Sequence, residues 1–114
     1  MIQRIVFCLL LLPCFAWAQG FPSKPVRIVV PFGPGGVADI VTRTLAPKLS
    51  EGLGQPVLIE NKPSAGGILA AEAVARADAD GHTLLLINNG NAVSAALFKA
   101  LPYDPVGEIG RAHV

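Results

Sequence analysis

The segment Pro31-Phe32-Gly33-Pro34-Gly35-Gly36-Val37-Ala38-Asp39 holds the residue types best suited to chemistry in this chain. Glycines let a backbone approach a ligand closely and adopt positive φ. The apolar run Val26-Arg27-Ile28-Val29-Val30 before it reads as a buried strand, and Ile40-Val41-Thr42-Arg43-Thr44-Leu45 after it reads as a helix. The first N–H groups of a helix lack intrahelical partners and carry the positive end of its dipole. The segment is therefore expected to hold a negative group, a carboxylate or a phosphate. Two further polar loops have a similar character, Asn61-Lys62-Pro63-Ser64-Ala65-Gly66-Gly67 and Asn88-Asn89-Gly90-Asn91.

Groups for covalent or metal chemistry are sparse. No nucleophile, base and orienting acid stand in a recognisable set. His82 precedes a strand and reads as a surface residue. Asp78 and Asp80 lie in a solvated turn, where a metal is a minor reading. No catalytic residue, metal ligand or cofactor is assigned, and the chain is not read as an enzyme.

The elements that must position these loops follow from periodicity. Val26–Pro31, Val57–Glu60 and Thr83–Ile87 read as strands. Gly36 to about Ser50 reads as a helix, with Ile40, Val41, Leu45 and Leu49 on one face and Pro47 kinking it or tightening its last turn. Gly52 to Pro56 is its exit turn. Ile68–Ala77 is an alanine-rich helix, and a short helix runs from the third loop through Phe98. This order predicts an α/β fold with a parallel sheet and right-handed crossovers. All three loops then leave the carboxyl ends of strands, the edge where open α/β sheets bind ligands.

The N-terminus predicts export. Arg4, the apolar run Ile5–Leu12 and Ala16-Trp17-Ala18 read as a secretory signal peptide, residues 1–18, cut after Ala18. Both cysteines, Cys8 and Cys14, leave with it, which excludes disulfides and thiolate metal sites. The whole chain has nine Lys and Arg against eight Asp and Glu. Loss of Arg4 balances them, and no basic run suggests nucleic acid. The remainder, residues 19–107, amounts to one small domain. Residues 108–114, Glu108-Ile109-Gly110-Arg111-Ala112-His113-Val114, fit no preceding pattern. One reading frame through a widely used adapter oligonucleotide encodes them, so a non-native tail is expected there.

Four stretches resemble the extracytoplasmic solute receptors of the tripartite tricarboxylate transporter class, the Bug receptors. They are Pro22–Phe32 continued by Gly35–Asp39 and Arg43; Gly54–Val57 with Glu60–Pro63 and Ala65–Gly67; Asp80–Leu85; and Leu101–Pro105. The resemblance spans Phe21 to Pro105. It implies the parallel-sheet, Rossmann-like lobe of a two-lobed, type II-like periplasmic binding protein, truncated before its second lobe. It also implies a small organic acid as ligand, either a di- or tricarboxylate or an acidic amino acid. The receptor would serve a tripartite transporter or a sensor, with membrane permease subunits as the implied partners, a monomeric receptor when full length and a periplasmic location. Carried onto this sequence, the ligand contacts are Phe32, Gly33, Gly36 and Asp39 in the first loop and Ala65, Gly66 and Gly67 in the second. Ser64 and Asn88 join them from the converging loops. Two residues depart from the family pattern. Ser64 replaces a glycine and either adds a hydroxyl donor or caps the next helix. Ala79 replaces a proline and loosens a turn. Asp39 near an anion site either caps its own helix or faces a ligand ammonium.

The alternative is an NAD(P)-dependent oxidoreductase. Gly33-Pro34-Gly35-Gly36-Val37-Ala38 fits G-x-G-x-x-A, and Glu60 ends the second strand where a ribose-binding acid would sit. The export signal and the Pro31-Phe32 spacer before the first glycine count against it.

Overall fold

The computed structural model describes residues 20–105, 107 and 108. The predicted signal peptide and residues 109–114 of the predicted tail lie outside them.

Three parallel strands form one sheet in the order β2-β1-β3: β1 Val26–Val30, β2 Val57–Asn61 and β3 Thr83–Leu85. Val26 faces Val57 and Val30 faces Asn61 in one ladder, while Arg27 faces Thr83 in the other. β1 is central, and Ile28, Val29 and Val30 are all buried. Successive strand residues point to opposite faces, so both faces of β1 are covered. β3 stops at Leu85, short of the expected Ile87. Leu86 still donates its N–H to the Val29 carbonyl at 3.0 Å, but Ile87 is exposed. Its partner β1 has ended by then, so the ladder has nothing further to pair with.

Helix α1 spans Val37–Leu53 and carries Pro47 inside it. It passes the expected end at Ser50. Gly54 terminates it with φ 71°, and the Gly54 N–H donates to the Ser50 carbonyl at 2.9 Å. That left-handed cap is the usual helix stop at glycine. The Ser50 hydroxyl is spent on the Gln55 carbonyl, 2.9 Å away.

The apolar face read from the sequence does not meet the sheet. Ile40, Val41, Leu45 and Leu49 are exposed, whereas Asp39, Thr42 and Ala46 are buried. α1 packs against β2 through this narrower stripe. Small side chains there bring the helix close to the strand, and Thr42 spends its hydroxyl on the Ala38 carbonyl at 2.6 Å.

A one-turn 3-10 segment, Ala65–Gly67, leads into α2, Ile68–Ala75, which ends two residues before the expected Ala77. Ala70 and Ala71 are fully buried where α2 meets β1 and β3. α3 spans Asn89–Leu97. The turn after it tucks Tyr103 inward, with its hydroxyl 3.3 Å from that of Ser94.

Candidate functional site

The three loops after β1, β2 and β3 meet around one cavity of about 460 Å³. The first supplies Pro31 and Phe32, the second Ser64, Gly66 and Gly67, and the third Asn88, Asn89 and Gly90. No lining residue carries a charge. Of the predicted contacts, Phe32, Ser64, Gly66, Gly67 and Asn88 line this space. Gly33, Gly36, Asp39 and Ala65 stand outside the lining.

The first loop is shaped by its glycines and by one buried acid. Gly35 has φ 87°, and Gly36 is the helix N-cap with no side-chain cap of its own. Asp39 reaches back from the first turn of α1. Its Oδ2 accepts the Gly35 N–H at 2.9 Å, and Arg43 Nε lies 3.0 Å from both carboxylate oxygens. Asn61, at the end of β2, closes the network. Its amide nitrogen donates to Asp39 Oδ1 at 2.9 Å and to the Phe32 carbonyl at 3.0 Å, and its oxygen accepts from Arg43 Nη2 at 2.9 Å. The Arg43 guanidinium, then the Gly35 amide and Asn61, hold the Asp39 carboxyl down at about 2.

The second loop turns on two successive left-handed glycines, Gly66 at φ 65° and Gly67 at φ 70°. A Cβ on Gly67 would lie 3.0 Å from Asn91 Nδ2 and 3.1 Å from Pro31 Cβ, so the glycine lets the loops touch. The Ser64 hydroxyl accepts the Leu69 N–H at 3.0 Å. It therefore caps the first turn of α2 while lining the cavity.

The third loop is a reciprocal cap. Asn91 donates its N–H to Asn88 Oδ1 at 3.2 Å, and Asn88 donates its own to Asn91 Oδ1 at 3.1 Å. This N-x-x-N box presents the start of α3 to the cavity, with Asn89 and Gly90 in the lining. The 3-10 turn that leads into α2 and the start of α3 thus border one uncharged space. Backbone N–H groups at a helix start suit a carboxylate.

The profile of the family described as "Tripartite tricarboxylate transporter family receptor" matches residues 41–112. The chain belongs to this family. A UPF0065 protein of Bordetella pertussis is 49% identical over 105 residues, 90% of this chain and 32% of the relative. The solved periplasmic binding protein BugD superposes with a TM-score of 0.70 at 42% identity, covering 75% of this chain and 28% of that one. MatC from Rhodopseudomonas palustris, solved with bound malate, gives a TM-score of 0.68 at 45% identity, covering 75% and 29%. The chain thus spans about a third of the length of the relatives it matches. The α/β receptor fold expected from the sequence is the one observed.

Receptor-like geometry also weakens the dinucleotide alternative. Glu60 pairs with Arg27 and Lys62, each at 2.9 Å, and Lys62 foremost lowers its carboxyl below the usual range. Each of its two oxygens already serves a cation, so a ribose hydroxyl would have to compete with Arg27 and Lys62 for them. The Gly35 amide, which a pyrophosphate would need, is taken by Asp39.

His82 is buried, contrary to its reading as a surface residue. Its Nε2 accepts the Ser23 N–H at 3.2 Å, and its ring packs 4.9 Å from that of Phe21. Lys24 grips Asp80 at 2.7 Å and holds that carboxyl well below its ordinary range. Among the described residues no group of three His, Cys, Asp or Glu is placed to hold a metal.

The sequence reading put Pro31, Asn89 and Gly90 in the converging loops without naming them as contacts, and gave Arg43 and Asn61 no role behind the first loop. The Asn88/Asn91 spacing could have signalled the third helix start. Asn61 carries no local signal, because its partners Phe32 and Asp39 reach it only through strand pairing.

Proposed function

We propose that this chain forms the carboxylate-gripping lobe of an extracytoplasmic solute receptor for small organic acids. The di- and tricarboxylates and the acidic amino acids are its ligand class. The carrying observation is the uncharged cavity bounded by Phe32, Ser64, Gly66, Gly67, Asn88 and two helix starts. Backbone amides bind a carboxylate there without burying a cation, at little desolvation cost for release. Gly33, Gly36 and Ala65 belong to the same loops and shape the backbone that donates. MatC, a family neighbour, is solved with malate, a small dicarboxylate. The receptor acts in the periplasm after cleavage behind Ala18, uses no cofactor, catalyses no reaction and delivers its ligand to permease subunits of a tripartite transporter.

The test is a thermal-shift and calorimetric panel on the full-length receptor with malate, succinate, citrate, glutamate and NAD. A ligand that binds only the native state raises the melting temperature. At least one organic acid should do so, and NAD should not. A shift with NAD and none with any acid would reverse the assignment.

A further inference from the structure

We infer that Asp39, Arg43 and Asn61 are positioning residues that fix the first loop from behind and touch no ligand; this rests on the carboxylate reading of the cavity. The geometry is closed on the protein side. Both Asp39 oxygens are occupied, by the Gly35 N–H, by Arg43 Nε and by the Asn61 amide. Asn61 in turn holds the Phe32 carbonyl, and Arg43 holds Asn61. Asp39 is 3% exposed and stands outside the cavity lining. No oxygen remains to meet a ligand ammonium.

The network links three places that must keep a fixed relation. Phe32 lines the cavity, Gly35 sets the left-handed bend, and Asn61 begins the second loop. Asn61 is also the strand residue facing Val30, so its side chain leaves the sheet beside the first loop. One carboxylate, one guanidinium and one amide have complementary donors and acceptors here, which gives a single arrangement. A negative group beside an anion site would repel a ligand, but Arg43 neutralises it in place.

The experiment uses the full-length receptor with Asp39→Asn, Asn61→Asp, the two combined, and Arg43→Gln. Malate and glutamate are titrated calorimetrically well below each melting temperature. Asp39→Asn should weaken both acids alike by about tenfold, the scale on which partners that orient ligand-holding groups act. The combined exchange moves the carboxylate to position 61 and keeps its pairing with Arg43, but an aspartate has no N–H for the Phe32 carbonyl, so it should recover only part of that loss. Arg43→Gln, on a half-exposed side chain, keeps the question open if the Asp39 variant does not fold, and should weaken both acids in the same way. A loss confined to glutamate, or affinity unchanged beside a lowered melting temperature, overturns the inference alone. A wild-type receptor that binds neither acid, nor any other in the panel, overturns the carboxylate reading and this inference with it.

Discussion

A carboxylate beside a loop expected to hold an anion is a contradiction in the sequence, and its neighbours resolve it. Asp39 shares its charge with Arg43, four residues on, a helical spacing visible in the sequence. Asn61 is 22 residues away and becomes a neighbour only through the β1–β2 ladder, so it was not legible. The pairing has an acid signature. The unfolded Asp39 titrates near 3.8 and the folded one at about 2, so its contribution is complete above 3.8. As pH falls from 3.8 towards 2 the unfolded state takes the proton first, and stability is lost across that window. Chemical denaturation of wild-type and Asp39→Asn receptor at stepped pH should show a shallower acid loss in the variant. A residual slope should persist, because Asp80 is lowered in the same direction, chiefly by Lys24. Identical slopes would contradict the pairing. Two glycines make a second comparison. Gly67→Ala meets Asn91 and Pro31 at a left-handed φ and should cost about 1–3 kcal/mol. Gly33→Ala meets nothing within 4 Å and should stay within about 0.5 kcal/mol. Urea denaturation of the full-length receptor checks both.

The elements were largely legible because strong local signals agree with the fold. The valine- and isoleucine-rich run gave β1, glycine turns bounded the helices, and each loop was found where a strand ends. What stayed illegible was the orientation of α1. Periodicity showed a stripe of Ile40, Val41, Leu45 and Leu49 on one face, but not which face meets the sheet. The structure instead buries Thr42 and Ala46, since a close helix–strand approach favours small side chains over large ones. Among the described residues nothing covers the larger stripe. Ala46→Leu should therefore overpack the α1–β2 contact and cost about 1–3 kcal/mol in the same denaturation assay. A neutral result would show that α1 does not rest on this stripe. Pro47, expected to kink the helix or tighten its last turn, stands inside α1, which runs on to Leu53, where Gly54 makes the stop.

At the scale of the molecule, the strand order places the cavity. From β1 the chain crosses to β2 on one side, then passes back to β3 on the other. The carboxyl end of β1 is thus a topological switch point, where the adjacent loops part and leave a crevice. A β-α-β-α-β pattern was enough to foresee a parallel sheet and converging loops. It was not enough to choose among orders, and the depth of the cavity depends on glycine contacts between loops distant in sequence. The full-length receptor, labelled at its backbone nitrogens and titrated with malate, tests the central claim most directly. Binding should move the amide signals of Phe32, Gly33, Gly35 to Ala38, Gly66, Gly67, Asn89 and Gly90 most strongly. Malate binding that leaves all of these unmoved would show that the acid is held elsewhere and that the loop cradle is not its site.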